Sequence, residues 1–202
     1  AVGKYGTGCI YDKIASIVKK KGGKFKFNET VKNFKFNDKK INEIITSKKK
    51  YKIKKNEIII STLPISITSK FLGKKNNLKF RGICSVYLFY KKNEILPKNH
   101  HWLYFDSDRL LFNRITENKK LSKFVAPKNK SFLTAEITYS LGDKFSKMKP
   151  EIIMKKVKDQ IGVTGIVDNK YLIGTLINYE PFVYPVQFAD YKSEVARIKS
   201  YV

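Results

Sequence analysis

The sequence predicts an α+β protein, in which strands are grouped and helices occur only occasionally, rather than a regular βαβ alternation. Three observations carry this expectation. Apolar residues recur at helical spacing near the start and again after Pro150, period-two alternation dominates residues 25–46, and a series of short runs between 80 and 139 is rich in aromatic and β-branched residues.

In chain order, Thr7 predicts the cap of a helix whose residues Ile10, Tyr11, Ile14, Ile17 and Val18 share one face, and Gly22 stands where a left-handed cap ends it. Lys19–Lys21 then sit at the negative pole of that helix. Phe25 and Phe27, then Phe34 and Phe36, alternate with polar residues, so the stretch reads as strand and hairpin, with Asn37-Asp38 as the turn before Ile41–Thr46. The run EIIISTLP (57–64) is continuous and apolar until proline stops it, which predicts a strand buried on both faces at a sheet centre. Residues 80–90, 102–105, 110–116 and 131–139 follow as strands, Pro150 opens a helix reaching Ile161, and 171–179 is a further strand. Tyr191, Val195, Ile198 and Tyr201 place a helix in the tail, and a boundary falls near 65–75. No internal repeat is visible.

The chain has 202 residues, 42% of them hydrophobic and 13% aromatic, enough to bury a real core. Its formal charge is +25 with a pI near 9.9, which invites a polyanion-binding reading. Yet the arginines are only Arg81, Arg109, Arg114 and Arg197, whereas phosphate and base readers favour the bidentate arginine fork. Lysine rises here together with isoleucine, asparagine, phenylalanine and tyrosine, all encoded by A/T-rich codons, so compositional drift accounts for the lysine coat. No specific nucleic-acid partner is expected; peripheral contact with anionic lipid is compatible with the surface. Cys9 and Cys84 are far apart and in no metal-ligand spacing, which points to a reducing, cytoplasmic interior and no metal site. There is no membrane-length apolar run and no signal peptide, and the start at Ala1 in mid-pattern reads as a piece of something longer.

The order of motifs is more specific than any one of them. A glycine-bearing loop into a helix (GKYGTGCIYDKIASIV), then GGKFKFNETV, a hairpin, and NEIIISTLP resembles the middle of the flavin-dependent amine oxidase and protoporphyrinogen oxidase superfamily. FRGICSVYLFY, HHWLYFDSD, LLFNRITENKKLSKFVAPKNKSFLTAEI and INYEPFVYPV resemble its protoporphyrinogen-oxidase-like NAD(P)/FAD-dependent branch. The resemblance implies that residues 1–66 are part of an FAD-binding domain, that 67–180 form an inserted mixed-sheet substrate-binding domain, and that 181–202 return to the first. It implies FAD as cofactor, with Val31 offering backbone groups to the adenine and Thr62, Leu63 and Pro64 passing beside the adenosine. The fingerprint G-x-G-x-x-G is absent, since Gly6-Thr-Gly8 has no preceding strand and Gly162 and Gly165 follow a helix. The late flavin-contacting segment is missing too, so this chain by itself is expected to bind FAD poorly.

In a flavoenzyme the cofactor carries the hydride chemistry and the protein positions the substrate, so no catalytic residue is assigned. Arg114 and Glu117 of FNRITE, and Tyr184 with Pro185 of VYPV, are the candidates, Arg114 and Tyr184 as substrate-binding residues for a small molecule. Arg114 suits a substrate carboxylate, or equally an ion pair with Glu117 or Glu136. His100 and His101 read as a turn leading into a strand rather than as metal ligands, and Asp106 and Asp108 as a hairpin turn. Aromatic residues at strand spacing suit a core, and also the lining of an apolar pocket. Three functions are open: an FAD-dependent oxidoreductase taking hydride from an organic substrate, a flavin-using sugar-nucleotide mutase of the same fold, and a basic polyanion-binding module.

Overall fold

A computed structural model of the chain describes residues 3–37 and 40–200. In order, its elements are α1 (Gly8–Lys20), β1 (Val31–Asn37), β2 (Lys40–Thr46), β3 (Lys50–Lys52), α2 (Ile65–Phe71), β4 (Phe80–Tyr90), β5 (Trp102–Tyr104), β6 (Arg114–Glu117), α3 (Asn118–Leu121), β7 (Ser131–Ser140), α4 (Pro150–Val163), β8 (Leu172–Pro185) and α5 (Tyr191–Lys199). The expected α+β class holds. The chain divides into two compact units, one of Ala1–Gly22 with Phe80–Tyr184 and the other of Gly23–Lys79 with Pro185–Val202. By this division α1 groups with the later sheet.

The first unit is built on a five-stranded sheet in the order β5-β6-β7-β4-β8. Alternation along β4 and β7, interrupted in burial only at Thr134, sends Cys84, Val86, Leu88 and Tyr90, with Leu133, Ala135, Ile137 and Tyr139, to one face. There they join a core that includes Ile153, Val157 and Ile161 of α4, all fully buried, each contributing about 1.5–3 kcal/mol of burial. Gly82 lies in β4 where a side chain cannot fit: a Cβ would stand 2.6 Å from the Tyr139 ring and 2.7 Å from the Glu180 carbonyl oxygen. α1 ends with Gly22 at φ +85°, the left-handed position its glycine predicts. Thr7 precedes the helix, yet its side chain makes no capping bond.

The second unit holds an antiparallel sheet in the order β1-β2-β3, against which α2 packs, the Phe34 and Phe71 rings meeting edge to face at 5.4 Å. α5 is tied to the loop before β4, where Glu194 accepts from the Asn77 amide at 2.9 Å and Arg197 donates to the Lys75 carbonyl at 2.9 Å.

Several expectations are corrected. The run 57–62 is not a buried central strand: among the described residues it pairs with no strand, and Ile58 and Ile60 are 89% and 85% exposed. A continuous apolar run becomes a buried strand only where neighbours supply ladder partners on both sides. Residues 24–27 are not a strand either, because Asn28 at φ +55° turns the chain and the Phe25 and Phe27 rings stack on each other at 5.9 Å. The strand placed at 110–116 begins only at Arg114, while the one placed at 171–179 runs on to Pro185. β3 and α2 were not expected. The turn residue Asp38 and the tail residue Tyr201 lie outside the described residues.

Candidate functional site

The face of the five-stranded sheet opposite α4 carries the alternate residues: Ser85 and Tyr87 of β4, Thr134 and Glu136 of β7, Arg114 and Thr116 of β6, Trp102 and Tyr104 of β5. Together with Asn118 and Leu121 they line a cleft of about 410 Å³. Trp102 and Tyr104 are 49% and 68% exposed; the Arg114 guanidinium lies over the Tyr104 ring at 5.7 Å, and the Trp102 ring is exposed at the rim.

Register decides which partner Arg114 takes. It stands directly opposite Glu136 across β6 and β7, and its Nη2 donates to Glu136 Oε2, while Nη1 donates to the Tyr104 hydroxyl at 3.1 Å. Burial works against the charge, but the Glu136 and Tyr104 hydrogen bonds outweigh it and raise the guanidinium pKa, so Arg114 keeps its charge. Arg114 Nε is buried with no protein partner among the described residues. That donor is unsatisfied within the protein, and its desolvation is a cost borne by the Arg114 position.

Glu117 faces the other way. It is fully buried and accepts from the Ile95 and Leu96 amides at 3.0 and 2.7 Å and from the Ser131 hydroxyl at 2.6 Å. It tethers the 93–97 loop, and of the two ion-pair partners weighed for Arg114 it is the one not used. Tyr184 is 54% exposed near the end of β8, three strands across the sheet from Arg114, on the order of 14 Å at ordinary strand spacing. The two substrate-binding candidates are thus on one sheet but not in one cleft. His100 and His101 are exposed in a turn beside Trp102, and no group of three metal-ligating side chains occurs among the described residues.

Trp102, Tyr104 and Tyr87 are site residues that sequence reasoning did not single out. Their signal was period-two alternation of aromatic with buried aliphatic residues.

Val31 and the Thr62–Pro64 segment both lie in the second unit. Val31 opens β1, an outer strand with a register shift between Val31 and Asn33, so among the described residues alternate backbone groups of its free edge have no strand partner. Pro64 stands at the start of α2, which packs on β1. An edge backbone of this kind fits the adenosine half of FAD, whose adenine presents both donor and acceptor. The sequence holds no glycine fingerprint for the pyrophosphate, so the residues fit part of the cofactor only.

No protein-family model matches this chain, and no curated protein does. Solved structures do. The chain matches a reduced UDP-galactopyranose mutase with a TM-score of 0.79 at 17% identity, over 97% of this chain and 43% of the other. It matches a putative protoporphyrinogen oxidase from Exiguobacterium with a TM-score of 0.75 at 11% identity, over 98% of this chain and 43% of the other. An oxidoreductase from Methanosarcina mazei follows at 0.54 and 16%, over 87% and 42%. The fold is therefore the one found in these mutase and oxidoreductase structures, as the motif order implied. The chain spans less than half the length of each.

Proposed function

We propose that this chain forms the substrate-handling sheet and the adenosine-side edge of an FAD-dependent enzyme that takes hydride from an organic substrate, oxidising a C–N or C–C bond. The observation that carries the reading is the open, aromatic-rimmed cleft lined by the cationic Arg114 beside Glu136. The shared fold supports it. Arg114 would bind an anionic group of the substrate, Glu136 would hold the guanidinium flat against the sheet and accept from a hydroxyl, and Trp102 would stack on a ring. Val31 and Thr62–Pro64 would hold the adenosine. FAD, when bound, supplies the hydride acceptor. Cytoplasmic location belongs to the same proposal; among the described residues, no helix is long and apolar enough to cross a membrane.

The test is anaerobic mixing of substrate candidates with the full-length, FAD-loaded protein. Bleaching of the flavin absorbance is expected, and a colourless full-length preparation that takes up no FAD would overturn the reading.

A second reading is favoured by one observation: the cleft is polar, with Arg114, Glu136, Thr116, Thr134 and Asn118 facing it. Such a lining suits a hydroxylated substrate, as a flavin-using sugar-nucleotide mutase requires. In that case reduced flavin persists through turnover, and no net oxidation accompanies it.

A further inference from the structure

The open face of the five-stranded sheet changes chemistry along its length. Opposed residues of β4 and β7 run from Ser85 and Glu136, through Tyr87 and Thr134, to Phe89 and Phe132. Charge gives way to hydroxyl and then to aromatic ring over four residues, roughly 13 Å. The Phe132 ring lies 5.7 Å from that of Phe89 and 6.4 Å from that of Tyr87, so the aromatic end is a packed floor.

Three hollows occupy this face, and they share walls. The Arg114 cleft meets an apolar hollow of about 550 Å³ at Tyr87. It meets a third, of about 350 Å³ beside the Tyr5–Thr7 loop, at Asn118 and Leu121, and that third meets the apolar hollow at Val125 and Phe132. They adjoin at these residues and together make up a trough. Its apolar end is walled by Val125, Pro127, Ile173 and Leu176, the last two 50% and 56% exposed although Leu172 and Ile177 on the same strand pack into the core. Exposed aliphatic side chains continuous with a polar, arginine-bearing cleft are complementary to one molecule carrying both characters.

We infer that the substrate is a single-chain amphiphile, its anionic, hydroxylated head at Arg114 and Glu136 and its aliphatic chain laid along Phe89 and Phe132 toward Leu176. This rests on the reading of the Arg114 cleft as the substrate site. The occupant is a single molecule in the trough, not a bilayer surface.

The single tryptophan, Trp102, lies in the cleft and reports its occupancy. The 202-residue chain is titrated with ethyl phosphate and, below its micelle concentration, with decyl phosphate. Both should change Trp102 emission, decyl phosphate binding at least about 100-fold more tightly, because each buried methylene is worth roughly fourfold. Gly174→Leu tests the chain end. Gly174 lines the apolar hollow, and an added Cβ there would stand at an ordinary 3.8 Å from Phe89. That variant should bring decyl phosphate down to the affinity of ethyl phosphate and leave the latter unchanged. Leu176→Ser, at an exposed position, should weaken decyl phosphate by about tenfold, and circular dichroism of both variants confirms the fold.

Equal affinity for the two phosphates overturns the amphiphile while leaving the Arg114 site standing. So does undiminished decyl phosphate binding in Gly174→Leu, which would mark adsorption to the lysine coat. Binding of phosphatidylserine vesicles without any response to monomeric decyl phosphate overturns it in favour of a membrane surface. If neither phosphate moves Trp102 emission, the Arg114 cleft is not the substrate site and the inference goes with it.

Discussion

Arg114 and Glu136 face each other across β6 and β7 at one register position, the carboxylate holding Nη2 while Nε has no partner among the described residues. The side chains are 33% and 17% exposed, so solvent screens the pair and its coupling is small, about 1 kcal/mol in a double-mutant cycle read by urea unfolding. Binding responds more strongly. Arg114→Ala should weaken an anionic ligand about tenfold or more, and Arg114→Lys should not rescue it, because an ammonium cannot reach Glu136, Tyr104 and a ligand from one planar fork. Rescue by lysine would show that only the charge matters.

Glu117 should matter for stability alone. Its carboxylate satisfies two amides and a hydroxyl in the core, so Glu117→Ala strands three donors and should cost about 3–5 kcal/mol by urea titration. Hydrogen exchange at Ile95 and Leu96 should accelerate selectively. A loss below about 1 kcal/mol would mean that water takes the place of the carboxylate.

Burial pushes the Cys84 thiol up to about 12, against a weaker opposing hydrogen bond from Tyr179. A thiol whose folded pKa is raised stabilises fully below its unfolded value of 9.0 and loses that contribution as pH rises through about 12. Stability between pH 9 and 12 should therefore fall less steeply in Cys84→Val than in the parent, by up to one proton. At pH 8, native chain should titrate one thiol, Cys9, and denatured chain two.

Gly82→Ala should destabilise by about 1–3 kcal/mol, since the methyl must displace either the Tyr139 ring or the Glu180 backbone of β8. Amide exchange along β8 should rise. An unchanged unfolding midpoint would show that β8 moves away at no cost.

Adenosine monophosphate should shift the amide signals of Val31, Thr62 and Leu63 in nuclear magnetic resonance spectra. Millimolar nucleotide without any shift at these positions would remove the cofactor edge from the second unit.

Elements with their own period were legible in the sequence. The alternation through Cys84, Val86, Leu88 and Tyr90, and the spacing of Ile153, Val157 and Ile161, show strand and helix without reference to any other part of the chain. Arg114 stood out as a charge within a strand. The stretch 57–62 misled because its composition states only that it can be buried, while burial itself depends on partners.

The sequence by itself determined the α+β class, the alternating strands, the helix after Pro150 and the motif order that pointed to a flavoenzyme fold. Tertiary structure decided that Arg114 pairs with Glu136, that Glu117 turns inward to hold a loop, that Tyr184 lies three strands from Arg114, and that three hollows adjoin on one face. The reason is physical. A side chain's period is written within a few residues, whereas its neighbour across a sheet is set by register between segments 22 residues apart, as Arg114 and Glu136 are.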